Sequence, residues 1–98
     1  MTLDVSFHEL AEAEVYDAVE YYRRIDPELA TAFIAEVERA LDYTQTYPEG
    51  SAKVGTEVRR KPVHGFPYSL LYAVQPERLR ILAVMNQMRR PFYWLGRE

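Results

Sequence analysis

The sequence has no cysteine among its 98 residues, so disulfides, thiolate metal sites and cysteine nucleophiles are all excluded, and nothing in it calls for an oxidising compartment. Its four glycines form no phosphate-cradling loop. Ser6, Ser51 and Ser69 stand in no G-x-S-x-G setting, which removes that nucleophile geometry. His8 and His64 are far apart and belong to no HExxH-like pattern, so no metal is expected. No apolar run approaches the roughly 18 residues of a membrane span, and the opening "MTLDVSFHELAEAE" has neither a basic start nor an apolar core. These absences imply a cytoplasmic protein with no cofactor and no membrane partner. A chain of 98 residues is long enough for one compact domain and too short for two, so residues 1–98 are expected to form a single unit.

What the chain does have is charge, unevenly placed. The net charge is -3, but residues 1–50 carry 12 acids and 3 bases (-9) while residues 51–98 carry 3 acids and 9 bases (+6). Two arrangements fit this separation. The halves form opposite faces, the basic one open to an anionic partner, or each half neutralises the other across the domain.

Residues 3–7, "LDVSF", alternate apolar and polar as a short strand does. From Glu9 to Arg24 the spacing becomes helical, with Ala11, Val15, Ala18, Tyr22 and then Ile25 on one stripe. Pro27 disfavours helical geometry at Asp26 but suits the first turn of a second helix, for which Asp26 is the N-cap. That helix carries Leu29, Phe33, Val37 and Leu41 at four-residue spacing and stops before Pro48 and Gly50. Three strand-like segments follow, "TEVRRKPV", "YSLLYAV" and "LRILAVM", with connections too short for parallel crossovers, so they form an antiparallel meander. Pro62 places the end of the first at an edge or a bulge. In "YSLLYAV", Tyr68, Leu70, Tyr72 and Val74 are expected to meet the helices. Ser69, Leu71, Ala73 and Gln75 are expected on the more exposed face.

Candidate chemistry lies in the second half. Arg59, Arg60 and Lys61 occupy one strand, and Arg89, Arg90 and Arg97 follow the last strand beside Tyr93 and Trp94. Guanidinium forks match phosphate oxygens and aromatic rings accept base faces, while the same residues also anchor protein partners. Equally, Tyr93 and Trp94 can cover the open edge of the core while the arginines neutralise the acidic helices. The helix-one acids Glu9, Glu12, Glu14, Asp17 and Glu20 lie mostly off the apolar stripe and read as a solvated face.

The order strand, helical hairpin, meander and basic tail, with "EAEVYDAVEYYRRIDPELATAFIAEVERAL", "YPEG", "VRRKPVHGFPYSLLYAV" and "ILAVMNQMRRPFYWLGR", resembles the RelE/ParE superfamily of type II toxin–antitoxin toxins, the plasmid stabilisation proteins. The resemblance spans nearly the whole chain. It implies an α+β fold, with an N-terminal helical hairpin packed on a small, mainly antiparallel twisted sheet. It also implies a growth-inhibiting toxin masked by a cognate antitoxin, whose partly disordered C-terminal segment folds as it binds. RelE-like members cut mRNA on the ribosome without a metal, and ParE-like members poison DNA gyrase. Ser69 stands where the RNases tend to have arginine, and Asn86 stands where related tails have histidine. Both departures favour the ParE-like branch, because a neutral side chain neither stabilises phosphate charge nor shuttles a proton. On that branch Arg59, Arg60, Asn86, Arg89, Arg90, Tyr93, Trp94 and Arg97 form the target-binding surface. The alternative is an endoribonuclease in which Arg89 or Arg90 neutralises the phosphate, Lys61 is an auxiliary cation and Tyr93 the general acid or base. A third reading is a degenerate, non-toxic member that still binds antitoxin.

Overall fold

The computed structural model describes residues 3–98. Strand β1 (Asp4–Phe7) leads into helix α1 (Glu9–Ile25), where His8 is the N-cap and its Nδ1 accepts the Leu10 N–H at 3.0 Å. Asp26 both ends α1 and caps α2 (Pro27–Thr46), its carboxylate accepting the Glu28 N–H at 2.9 Å. One residue thus makes the hairpin tight, because it leaves helical geometry and satisfies a free donor of the next helix.

The sheet has five strands in the order β1-β5-β4-β3-β2, comprising β2 (Ala52–Lys53), β3 (Arg59–Pro62), β4 (Tyr68–Val74) and β5 (Arg78–Asn86). The meander β3-β4-β5 is antiparallel, whereas β1 pairs parallel with β5 from Asp4↔Arg78 to Phe7↔Ile81. The helical hairpin supplies the crossover that a parallel pair requires. Two differences from the sequence reading concern length. The strand expected in "TEVRRKPV" covers only Arg59–Pro62, and the two-residue β2 pairs with Arg59 and Arg60 alone. Pro62 therefore lies beyond the reach of β2, where its missing N–H costs no ladder bond.

The main core fills the space between hairpin and sheet. Phe33, fully buried, meets Tyr22, Phe66 and Tyr68 with ring centroids 5.2–5.3 Å apart. Leu70, Tyr72, Leu79, Ile81 and Val84 form the sheet side of this cluster, and Ala11, Ala18, Ala30 and Ala40 let the helices approach. The Tyr72 hydroxyl donates to the Pro48 carbonyl at 2.8 Å and pins the loop after α2. Ile25, expected on the stripe of α1, is 59% exposed, because the helix ends there and the sheet does not extend beneath it. Leu29 and Val74 are also exposed, and α2 packs instead through Ala30, Phe33, Val37, Ala40 and Thr44.

The opposite face of the sheet differs more. Ser69 and Leu71, expected on the more exposed side, are buried: Leu71 joins a second cluster closed by Trp94 with Val58, Leu82 and Ala83, and Ser69 Oγ accepts from Arg60. The central strands are apolar on both faces for this reason.

Truncation of Phe33 to Ala should destabilise the fold by about 3–5 kcal/mol in chemical denaturation, since its cavity opens inside an aromatic cluster. Asp26→Ala, which removes only the cap, should cost about 1 kcal/mol.

Candidate functional site

Beyond Asn86 the chain leaves β5 through a turn. The Asn86 carboxamide oxygen accepts the Met88 N–H at 2.9 Å, its carbonyl accepts the Arg89 N–H at 3.0 Å, and the Gln87 N–H donates to Pro67. Asn86 is thus occupied as an Asx-type turn former. Pro91 prevents strand continuation, and a series of turns follows with Phe92 at φ 60° and Gly96 at φ 91°. Gly96 is the residue type such a turn requires. These turns return Trp94, only 5% exposed, to the sheet and bring Arg97 over β5.

At that point side chains take up two backbone groups of β5. Leu71 pairs with Ala83 and Tyr72 with Ile81, so Leu82 is an extra residue, a bulge. The Leu82 carbonyl accepts from Arg97 Nη1 at 3.0 Å. The Val84 N–H, past the end of β1, donates to Glu14 Oε1 at 2.9 Å. Glu14 in turn receives the Tyr93 hydroxyl on Oε2 at 2.8 Å and both terminal nitrogens of Arg97 at 3.0 and 3.3 Å. Arg89 Nη1 stands 3.9 Å from the same Oε2. Two guanidinium groups stand close to the Tyr93 ring, Arg89 3.9 Å and Arg97 5.0 Å from its centroid. Side-chain exposure grades outward: Arg97 11%, Glu14 14%, Arg89 53%.

This arrangement sets the protonation of Tyr93. Burial disfavours the phenolate, and the hydrogen bond to Glu14 and the charge of that carboxylate act in the same direction, while Arg97 and Arg89 oppose them. The net shift is strongly upward from the ordinary tyrosine value. A tyrosine so placed holds its proton.

The other site residues expected from sequence are distributed over both faces of the sheet. Arg60, on the tail side, donates through Nε to Ser69 Oγ at 3.0 Å, so a guanidinium stands over the position where Ser69 itself carries none. It borders a small apolar cleft of ≈ 150 Å³ with Val54, Leu71, Met85, Pro91, Phe92 and Trp94. Arg59 and Lys61 alternate to the helix side. Arg59 donates to the carbonyls of Glu49 and Ser51 at 3.1 and 2.7 Å, and Lys61 Nζ lies 4.1 Å above the Tyr43 ring. Arg90 is exposed beside Pro91. Arg89, Tyr93 and Arg97 therefore come together, Arg60 and Arg90 flank the tail, and Arg59 and Lys61 are turned away. Among the described residues, no cluster of three or more His, Asp or Glu side chains is placed to hold a metal ion.

Glu14 is the residue that sequence reasoning missed. It sits three residues after Ala11 and four before Ala18, on the buried stripe itself, so the solvated-face reading of the helix-one acids fails at this position. An acid in phase with buried alanines was the available signal. Glu14 also lines an open groove of ≈ 580 Å³ between α1 and the ends of β4 and β5, together with Tyr21, Ile25, Tyr68, Met88 and Arg89.

A two-helix hairpin on a five-stranded mixed sheet, with a basic C-terminal segment closing the far face, makes a small α+β domain. A family model described as the ParE toxin of the type II toxin-antitoxin system parDE matches residues 5–91, and the chain belongs to that family. A solved structure, described as the chromosomal ParDE TA system from P. aeruginosa, is similar with a TM-score of 0.75 at 17% identity, over 87% of this chain and 96% of that one. At that identity the likeness establishes the shared fold. The curated proteins contain no match to the sequence.

The upward shift at Tyr93 has a measurable consequence at alkaline pH. Below pH 10, the ordinary tyrosine value, folded and unfolded chains both carry the proton and its contribution to stability is complete. Above it the unfolded chain releases the proton first, so stability should fall as pH rises toward the folded value. Tyr22, also shifted upward by burial and by Tyr68 and Tyr21, adds to the trend. Denaturation midpoints between pH 8 and about 11 should decline more steeply in the parent than in Tyr93→Phe.

Proposed function

We infer that this chain acts in the cytoplasm, as a single domain over residues 1–98, to inhibit growth by binding and poisoning DNA gyrase, and that a cognate antitoxin neutralises it. The family assignment supports a toxin of a type II system. The observation that favours a binding surface over a nuclease is the occupation of Tyr93 by Glu14 at 2.8 Å, with its pKa raised. An RNase needs that tyrosine to exchange a proton near neutral pH, whereas contact with a protein target needs only shape and charge. Ser69 and Asn86 point the same way, since one is buried and the other is engaged in a turn. Arg60, Arg89, Arg90 and Tyr93 are the accessible residues assigned to the target. Arg97 and Trp94 support them from beneath. The antitoxin segment is proposed to cover the same surface.

Purified protein should block supercoiling by gyrase or trap cleaved gyrase–DNA complexes while leaving ribosome-bound mRNA intact. Cut messages with normal supercoiling would place the chain on the RNase side. Charge reversal of Arg89 and Arg90 together should abolish growth inhibition while lowering the melting temperature little, because Arg89 is half-exposed and Arg90 exposed. Equal losses of toxicity and stability would mean that the pair serves the fold.

A further inference from the structure

Residues 87–98 have little backbone support. Between 88 and 98 the backbone hydrogen bonds are turns closing on a carbonyl three residues back: Arg89 to Asn86, Tyr93 to Arg90, Leu95 to Phe92 and Arg97 to Trp94. No strand of the sheet includes this segment. Phe92 is held at φ 60°, a left-handed conformation that a non-glycine residue keeps only where its surroundings impose it. Side chains make the ties to the rest of the molecule: Trp94 in its apolar seat, Arg80 Nε donating to the Glu98 carbonyl at 3.0 Å, and the contacts at Glu14. Arg97 Nη1 also donates to the Leu82 carbonyl at 3.0 Å, and the Glu14 contacts orient both Tyr93 and Arg97. Tyr93 and Arg97 are bound directly, and Arg89 is placed by stacking on Tyr93.

We propose that Glu14 is a positioning residue for the toxin's target surface: its carboxylate, presented by α1, holds segment 87–98 docked on the sheet, and in its absence the segment detaches. This rests on the target surface assigned above. Glu14 lies within the chain's acidic half and Arg89, Tyr93 and Arg97 within its basic half, so the contact couples helix to tail over about 80 positions. A carboxamide at position 14 keeps an acceptor oxygen but leaves the Arg97 guanidinium, 11% exposed, without a counter-charge. Hydration of that cation requires the tail to move outward. Asp17 and Arg89 are the other charged groups lining the adjoining groove, and Asp17 makes no contact with Arg97 that would replace Glu14.

Trp94 is the only tryptophan, so its emission reports the docked segment directly. The experiment compares the parent, Glu14→Gln and a core control, Val37→Ala, by far-UV circular dichroism, thermal melting, acrylamide quenching of Trp94 and inhibition of gyrase supercoiling. Glu14→Gln should keep its helical signal and a cooperative melt. Its Trp94 emission should move to longer wavelength, its quenching should rise several-fold, and its potency should fall about tenfold or more. Val37→Ala should lose melting temperature while keeping Trp94 protected and potency near the parent's. Should Glu14→Gln fail to fold, Arg97→Gln removes the same pair from the tail side and carries the same expectation. Unchanged quenching in the variant, exposed Trp94 with full potency, or equal exposure in Val37→Ala would each overturn the proposal. A parent that leaves gyrase untouched would remove the target reading, and the quenching measurement would still decide whether Glu14 holds the segment.

Discussion

A single carboxylate joins the acidic half of this chain to its basic half. Strand β1 covers β5 only as far as Ile81, and the bulge at Leu82 turns a carbonyl away from the ladder just beyond. Buried backbone groups left in that state are costly, and no further strand is present to satisfy them. Glu14 takes the Val84 N–H, Arg97 supplies the Leu82 carbonyl, and the two side chains neutralise each other. Helix, strand and tail are tied at one point. A buried pair of this kind adds little net stability compared with well-packed apolar residues, yet removing one partner is strongly unfavourable. Its effect is to select one arrangement of the tail among those the chain can reach.

The same contact keeps the Tyr93 hydroxyl protonated. A tyrosine flanked by two guanidinium groups would ordinarily be primed to ionise, because each cation favours the phenolate. Burial and the acceptor opposite it win here, and the hydroxyl serves as a donor. The cations are graded too: Arg97 is spent on structure, Arg89 is shared between Tyr93 and solvent, and Arg60 is steered by Ser69 through its Nε. Such a surface suits a partner whose charges and apolar side chains must be matched.

Helix limits and the antiparallel meander were legible because local chemistry set them, whereas the place of β1 and the short β2 were not. Asp26 before Pro27 can hardly do other than end one helix and begin the next, and alternation in "YSLLYAV" gives the inward set Leu70 and Tyr72 correctly. The second buried face has an apolar trace in the sequence as well, in Leu71, Leu82 and Ala83, but its cover has none. Trp94 reaches it through turns with no periodic signature. Residue types in the candidate site were readable, but their arrangement was not. Period-two alternation along β3 sends Arg59 and Lys61 one way and Arg60 the other, and the engagement of Arg97 depends on a bulge that pairing alone reveals. Glu14 stands in phase with the buried Ala11 and Ala18, so its position on the helix, not its charge, is the guide to its burial.

The parallel pairing of β1 with β5 also fixes an order of assembly. Asp4 waits for Arg78, and the partners of Glu14 arrive later still, from Val84 to Arg97. The helical hairpin can form early from local contacts, while β5 and the segment packed upon it depend on pairings between residues far apart in sequence. The surface carried by Arg89 and Tyr93 thus rests on contacts of long sequence separation, whereas the hairpin beneath it rests on short ones.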